Sequence, residues 1–96
     1  MIQSFADDTT RDIFYDENTK AARRIPRTIW PIAQRKMKQL DLARSLDELR
    51  IPPSNRLHPL LGDRVGQYAI WVNTQYRITF RWEGHDAYDV CCEDYH

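Results

Sequence analysis

The sequence predicts an α+β domain in which two N-terminal helices pack on one face of a mostly antiparallel β-sheet. Helix-type apolar spacing and helix-capping residues occur in the first half of the chain, whereas apolar and polar residues alternate with a period of two in the second half. Turn residues separate the alternating stretches. Because a chain of 96 residues is enough for one hydrophobic core, we expect a single domain over residues 1–96.

The first predicted helix follows a short strand candidate at residues 2–5. Residues 7–10 read Asp-Asp-Thr-Thr, and each of these side chains can cap a helix that runs to about Tyr15. Ile13 and Phe14 are then expected to face the core.

The second predicted helix begins after Pro26, with Thr28 as the expected N-cap. Pro31 falls in its first turn, where the missing N–H has no intrahelical partner to lose. The apolar stripe at helical spacing, which we expect in the core, consists of Ile29, Ala33, Met37 and Leu40. The basic side chains that we expect to face water or a partner are Arg35, Lys36 and Lys38.

The second half begins with one helical turn at residues 45–49, in which Ser45 and Glu48 have capping-box spacing. Four strands are then predicted, at residues 56–60, 67–72, 76–82 and 87–93. Because side chains alternate along a strand, one face of the sheet is expected to pack against the helices. Its residues are Tyr68, Ile70, Val72, Tyr76, Ile78, Phe80, Trp82, Tyr88, Val90 and Cys92. The opposite face, which no predicted helix covers, presents Arg77, Thr79, Arg81 and Trp71, and we expect a site there.

A net charge of zero conceals a segregation of charge along the chain. Residues 1–19 have a net charge of −4, residues 20–81 of +9 and residues 82–96 of −5. Arginine outnumbers lysine by eleven to three, and its planar guanidinium binds phosphate through paired hydrogen bonds and stacks on bases. The basic middle therefore indicates an anionic partner, unless the acidic ends fold back against it and neutralise it.

The absence of several sequence motifs argues against nucleotide-binding, cofactor-dependent and zinc-dependent functions. The sequence contains no GxxxxGK[ST], GxGxxG, CxxC or HExxH, so neither a cofactor nor a metal ion is expected. The adjacent Cys91 and Cys92 would point to opposite faces of a strand, so we expect reduced, structural thiols. The longest apolar run, residues 68–72, is too short to cross a membrane, and no secretory leader is visible. These features favour a cytoplasmic protein without a membrane partner.

Histidine and arginine without a metal are sufficient to cleave RNA. RNA contains its own nucleophile, the 2′-hydroxyl, so an enzyme has only to align it, move protons and stabilise the negative charge that develops on the phosphate. Histidine titrates near neutral pH and arginine keeps a fixed positive charge. His58, His96 and the arginines supply these groups.

Three motifs resemble the HigB toxins of the RelE/ParE toxin superfamily. They are NRLHPLLGDRVGQY at residues 55–68, VNTQYRITFRW at residues 72–82 and the closing DYH at residues 94–96. The resemblance extends through LDLA at residues 40–43, LDELR at residues 46–50 and the opening MIQSF. Their order and spacing together are specific, and they cover essentially the whole chain.

The resemblance implies a RelE-like fold and the toxin of a type II toxin–antitoxin system. Such a toxin is a ribosome-dependent endoribonuclease that cuts mRNA during translation, and a HigA-type antitoxin neutralises it. Carried onto matching positions, Arg77 would stabilise the phosphate, and His96 would be a general acid or base. Asp94 and Tyr95 would shape the site, and His58 would lie at its edge. Leu61 departs from the pattern, because other members have a lysine there, and Arg64 or Arg81 would have to replace it.

The side chains that we expect to contact RNA or the ribosome are Arg64, Arg81, Tyr95, Trp71, Arg35, Lys36 and Lys38. Arg64 has an alternative role, in which it braces the turn at residues 62–64. Strict alternation places Asp94 and His96 on the face opposite Arg77, so the last strand is expected to end, bend or bulge near Glu93.

Two other functions stay open. One is a non-enzymatic toxin of the ParE kind, which inhibits DNA gyrase and needs neither Arg77 nor His96. The other is an inactive module that binds RNA or docks an antitoxin, for which Leu61 is the supporting sign.

Overall fold

The computed structural model describes residues 1–95. Two helices, α1 (Asp8–Phe14) and α2 (Trp30–Leu42), precede a meander of four strands. The strands are β1 (His58–Pro59), β2 (Gln67–Trp71), β3 (Tyr76–Glu83) and β4 (Asp86–Asp94), and each pairs antiparallel with the next. Short 3₁₀ turns at Ala22–Arg24, Leu46–Arg50, Pro53–Asn55 and Gly62–Arg64 connect these elements. The predicted fold class is confirmed.

The helices begin close to the predicted positions. Asp7 caps α1, and its side chain accepts a hydrogen bond from the backbone N–H of Thr10 at 2.8 Å. Thr28 is not the N-cap of α2, because the helix starts at Trp30 and Ile29 precedes it without a capping side chain. Pro31 lies in the first turn, as predicted.

The core lies between the helices and the inner face of the sheet. Its fully buried side chains include Ile13, Met37, Leu40, Leu49, Ile70, Ile78, Phe80 and Val90. The predicted stripe of α2 is buried at Ala33, Met37 and Leu40, whereas Ile29 packs at the margin of the core. Trp30 is also buried, and its indole N–H donates to the carbonyl of Ile25 at 2.9 Å.

The strand predicted at residues 2–5 forms only two isolated bridges, which pair parallel with β4 at Ile2↔Ala87 and Phe5↔Val90. The strand predicted at residues 56–60 is reduced to β1. The proline pair at residues 52–53 favours a 3₁₀ turn over Pro53–Asn55, and Arg56 then adopts a left-handed conformation with φ 49°. The site is thus built from irregular chain beside a short edge strand.

Strand β4 contains a bulge that the alternation did not predict. The pairing shifts between Thr79↔Cys91 and Arg81↔Tyr88, and Asp89 has φ 54°. The extra residue turns Tyr88 to the outer face, beside Arg81, so the prediction that Tyr88 faces the helices is wrong. Val90 and Cys92 remain in the core, as predicted.

The outer face of the sheet is also more covered than the sequence indicated. Arg77 is 7% exposed and Thr79 is 1% exposed, although both were expected on an open face. Aromatic rings flank Arg77, and Arg64 reaches the hydroxyl of Thr79 at 3.2 Å. The chain between β1 and β2 therefore covers part of the face that no helix covers.

Candidate functional site

The candidate site lies on the outer face, beside the turn that joins β2 to β3. Trp71 is the register partner of Arg77, and Arg77 is in turn paired with Glu93 of β4. Directly opposed residues of antiparallel strands extend to the same face, so these three side chains are neighbours. His58 is in register with Ala69 and lies on the same face, on the edge strand.

Arg77 is the most constrained charged group of the site. Its Nη1 donates to the carbonyls of Asn73 at 2.5 Å and Tyr76 at 3.1 Å. Its guanidinium carbon lies 3.8 Å from the ring centroid of Trp71 and 5.0 Å from that of Tyr95. Burial lowers the pKa of Arg77 from its ordinary value, and the positive charge of Arg56 acts in the same direction. Arginine nevertheless remains charged at physiological pH.

The Nε of Arg77 is buried and makes no hydrogen bond to any residue in the described range 1–95. A buried donor without a partner is costly, and such groups are concentrated where a ligand completes the hydrogen bonding. The donors on Nε and Nη2 form the side edge of the guanidinium, which matches the two oxygens of a phosphate. This edge of Arg77 therefore has the donor geometry that an anion such as phosphate requires.

His58 is fixed in one orientation by a backbone contact. Its Nδ1 lies 2.7 Å from the carbonyl oxygen of Arg56. A carbonyl can only accept, so Nδ1 carries the proton, and in the neutral ring Nε2 is left as the acceptor. This tautomer suits a proton acceptor at the edge of the site.

Two of the predicted RNA-binding arginines are neutralised by carboxylates. Arg64 pairs with Glu93 at 2.7 Å and also donates to Gln67 and Thr79, and the hydrogen bond from Glu93 raises its pKa. Arg81 pairs with Glu83 at 2.8 Å and with Asp89 at 3.4 Å, and its pKa is raised as well. The geometry supports the alternative in which Arg64 braces the turn.

The end of β4 brings Tyr95, but not Asp94, to the face of Arg77. The backbone N–H of Tyr95 donates to the carbonyl of Gln75 at 2.8 Å, and its ring flanks Arg77. Asp94 is paired with Tyr76 and accepts a hydrogen bond from the Gln75 amide at 2.9 Å. The pairing is regular from Ile78↔Cys92 to Tyr76↔Asp94, where β4 ends, so of the expected alternatives near Glu93 the strand end occurs and a bulge does not. The predicted catalytic His96 lies outside the described residues.

The basic residues of α2 do not join this cluster. Arg35 and Lys38 are exposed on the helical layer, which packs on the other face of the sheet. Lys36 is half-buried, and its ammonium donates to the amide oxygen of Asn55. Burial lowers the pKa of Lys36, with a smaller contribution from Arg35. The expectation that Lys36 faces water or a partner is therefore wrong.

Sequence reasoning missed Arg56. No role was expected for Arg56 from the sequence, yet the structure places its guanidinium carbon 4.1 Å from the ring centroid of Trp71. The left-handed backbone that directs it follows from the preceding turn, and no periodic pattern signals it. Leu61 is 82% exposed near the same edge of the sheet.

Within residues 1–95, no group of three or more His, Cys, Asp or Glu side chains is arranged to hold a metal ion. A separate finding is that, over the same described range, no helix is long and apolar enough to cross a membrane.

Residues 3–96 match the model of a family described as RelE-like toxin of the type II toxin–antitoxin system HigB. The chain is 44% identical over 69 residues to a protein of Vibrio cholerae named Toxin HigB-1, and the match covers 72% of each chain. It is 41% identical over 61 residues to a protein of Proteus vulgaris named Endoribonuclease HigB, which covers 64% of this chain and 65% of that one.

Solved structures show a similar fold at low sequence identity. The YoeB–YefM complex from Staphylococcus aureus aligns with a TM-score of 0.61 at 10% identity, and covers 100% of this chain and 98% of that one. A YoeB/ParE toxin from Agrobacterium tumefaciens aligns with a TM-score of 0.53 at 15% identity, and covers 98% and 99% of the two chains. The RelE-like fold is therefore confirmed.

The family match and the two relatives confirm the resemblance read from the motifs and the predicted class of function. The chain belongs to the HigB-like family of RelE-like toxins of type II toxin–antitoxin systems.

Proposed function

We propose that this toxin is an endoribonuclease that cuts mRNA on the translating ribosome without a metal ion, and that a HigA-type antitoxin neutralises it in the cytoplasm. The buried Nε of Arg77, which has no partner in the described range, is the observation that carries the proposal. It offers a fixed positive charge and a free donor where a phosphate would bind. The printed name of the Proteus relative, Endoribonuclease HigB, supports the same activity.

In the proposed reaction the RNA 2′-oxygen loses its proton and attacks the adjacent phosphorus. The bond from phosphorus to the 5′-oxygen of the next nucleotide breaks, and that oxygen takes up a proton. The first product strand ends in a 2′,3′-cyclic phosphate. Negative charge increases on the phosphate oxygens during the attack, and Arg77 stabilises it because its guanidinium is already oriented and desolvated.

The proton transfers require one group that accepts the proton of the 2′-hydroxyl and one that donates a proton to the leaving 5′-oxygen. We assign them to His96 and His58, the first because of its position in the DYH motif and the second because its free Nε2 can accept a proton. Tyr95 flanks Arg77 and limits the access of water to it. Asp94 acts as a positioning residue, because its hydrogen bond with Gln75 holds the strand end that leads to His96.

The partner proposals rest on the family. A type II toxin has an antitoxin, and the solved complex from Staphylococcus aureus is named for two components, YoeB and YefM. We assign the antitoxin to the HigA type because the family is that of HigB. We also propose that residues 1–96 form one domain, since one continuous core unites both helices with the sheet.

Mapping of mRNA 5′ ends on translating ribosomes tests the proposed activity. New ends within coding sequences are expected after addition of the wild-type protein. The variants Arg77→Ala and His96→Ala, with folding confirmed by circular dichroism, are expected to produce at least about 100-fold fewer new ends. Arg77→Ala loses the charge that stabilises the phosphate, and His96→Ala loses a group that transfers a proton.

The gyrase-inhibiting alternative predicts a different result. If the wild-type protein produces no new ends, or if both variants cut as well as the wild type, the ribonuclease proposal is wrong. A DNA supercoiling assay with gyrase then becomes the next measurement. The relative named as an endoribonuclease favours the first outcome.

A further inference from the structure

Two arginines share one indole ring at the edge of the candidate site. The guanidinium carbons of Arg77 and Arg56 lie 3.8 Å and 4.1 Å from the ring centroid of Trp71. Trp71 extends from β2, Arg77 from β3, and Arg56 from the turn that precedes β1. Three separate segments of chain therefore converge on the ring, which holds both cations by cation–π contact.

Neither of these guanidiniums is neutralised by a carboxylate of the part of the chain that the structure describes. Within residues 1–95, Arg56 and Arg77 form no ion pair, whereas Arg64 and Arg81 on the same face of the sheet each pair with a carboxylate. The charge of Arg56 is close enough to Arg77 to lower the pKa of that arginine. Two like charges without an anionic partner repel each other, so an anion that contacts both relieves a repulsion that the fold otherwise maintains.

The backbone of Arg56 is held in an unusual conformation. Its φ and ψ of 49° and 47° are left-handed, which is unfavourable for a residue with a side chain. Its N–H donates to the carbonyl of Pro53 at 3.0 Å, and its own carbonyl contacts Nδ1 of His58. The neighbouring Asn55 is fully buried and anchors the turn through Leu49. Backbone conformations of this kind persist where the surroundings enforce them, often at functional sites.

We propose that Arg56, stacked on Trp71, is a second phosphate-binding residue of this toxin and that it holds the same RNA phosphate as Arg77. The inference rests on the proposed ribonuclease function and extends it. Arg77 supplies the donor at its buried Nε, and the exposed Arg56 brings its own planar set of donors to the same indole ring. Since negative charge increases on this phosphate during cleavage, both cations stabilise the transition state more than the bound substrate.

Single-turnover cleavage of ribosome-bound mRNA tests this assignment. The variant Arg56→Gln keeps hydrogen-bond donors but loses the charge, and its cleavage rate at saturating protein is expected to fall roughly 10- to 100-fold, the effect of one charge-assisted hydrogen bond. Arg56→Lys is expected to keep part of the rate, because it retains the charge without the planar donors. The matched control is Arg50→Gln, an exposed arginine paired with Asp47, which is expected to cleave as the wild type does. Equal rates for Arg56→Gln and Arg50→Gln overturn the proposal.

Titration with inorganic phosphate separates this inference from the ribonuclease function itself. The NMR resonance of the Arg77 Nε–H group, assigned by its absence in Arg77→Lys, is expected to shift with added phosphate in the wild type. In Arg56→Gln the apparent affinity is expected to fall by about 10-fold. If the wild type and Arg56→Gln respond to phosphate in this way but the wild type cleaves no mRNA, the two-arginine phosphate site is supported and the ribonuclease proposal is wrong. No response in the wild type, or an equal response in Arg56→Gln, contradicts the site.

Discussion

Arg64 and Arg77 are the same residue type on the same face of one sheet, but their surroundings give them different roles. Arg64 is held by Glu93, Gln67 and Thr79, so its donors are used within the protein. Arg77 is more deeply buried and retains a donor without a partner in the described range. At the scale of single residues, the availability of donors therefore separates an arginine with a structural role from the one proposed to bind phosphate.

A double-mutant cycle tests the structural role of Arg64. We expect Arg64→Gln and Glu93→Gln each to lower the free energy of unfolding, with a coupling of roughly 0.5–1 kcal/mol because the pair is partly shielded from solvent. The side chains of this pair are 38% and 27% exposed. The pair of Arg50 with Asp47, 66% and 83% exposed, is expected to show a coupling near zero. Urea denaturation supplies the four free energies of each cycle.

An mRNA-cleavage assay with the same variants can contradict the structural role of Arg64. If Arg64→Gln cuts mRNA as poorly as Arg77→Ala and its coupling to Glu93 is absent, Arg64 binds RNA and does not brace the turn. The structural role instead requires a loss of stability with most of the cleavage rate retained.

At the scale of elements, the N-terminal segment holds the bulge of β4 in place. The N–H of Asp89 donates to the hydroxyl of Ser4 at 2.9 Å, and the N–H of Val90 donates to the carbonyl of the same residue at 3.1 Å. The N-terminal segment therefore protects this edge of the sheet at the bulge. Beyond the bulge, Cys92 is buried in the core and Cys91 lies partly buried on the outer face.

The thiols of β4 predict a loss of stability at alkaline pH. Burial, the largest cause, raises the pKa of Cys91 and of Cys92 to about 12, and burial also raises the pKa of Tyr76 on the adjacent strand. A thiol in the unfolded chain ionises near pH ~8.5. The contribution of the two thiols to the free energy of unfolding is therefore complete below that pH and is lost as the pH rises toward 12.

Thermal unfolding across this pH range measures the effect. We expect the melting temperature of the wild type to fall between about pH 8.5 and 11 more steeply than that of the Cys91→Val/Cys92→Val variant, whose side chains do not ionise. Parallel curves would show that the thiols are not protected from ionisation in the folded protein.

Elements whose pattern is periodic were predictable, and those set by local irregularity were not. The stripe of Ala33, Met37 and Leu40 and the alternation of β3 determine which faces are buried, because a helix or strand has one fixed period. The bulge at Asp89 inserts a residue into a strand and so reverses the face of Tyr88. A single sequence has no regular signal for such an insertion.

The same distinction applies to the candidate site. Arg77 and Trp71 were predictable as outward residues because both lie in regular strands. Arg56 was not, since its direction depends on a turn of three residues followed by a left-handed conformation. The coverage of Arg77 by Tyr95 also depends on where β4 ends, and strand boundaries are the least predictable feature of a sequence.

At the scale of the whole molecule, the segregated charges are only partly neutralised. The acidic C-terminal segment folds against the basic middle through Glu93, Glu83 and Asp89, which pair with Arg64 and Arg81. The folding back considered from the sequence therefore occurs at these arginines. Within residues 1–95, Arg56 and Arg77 form no ion pair, so two unpaired positive charges lie beside the candidate site.

The charges of these two arginines predict how ribosome binding responds to salt. Neutralising RNA phosphates releases counterions, so the logarithm of the binding constant is expected to fall linearly with the logarithm of the salt concentration. His96→Ala removes a proposed proton-transfer group but neither of the two arginines, so it is expected to bind ribosomes with the wild-type slope while cleaving poorly. Arg56→Gln is expected to have a slope shallower by about 0.7, the value for one contact to single-stranded RNA.

Co-sedimentation with ribosomes at about 50 to 300 mM KCl, the range in which counterion release changes affinity strongly, measures these slopes. Arg50→Gln again is the control and should keep the wild-type slope, because its charge is already paired with Asp47. A slope for Arg56→Gln equal to that of Arg50→Gln would mean that Arg56 makes no phosphate contact on the ribosome. Binding that does not respond to salt at all would mean that the ribosome recognises this protein through contacts other than phosphate, and Arg56 and Arg77 would then have no role in recognition.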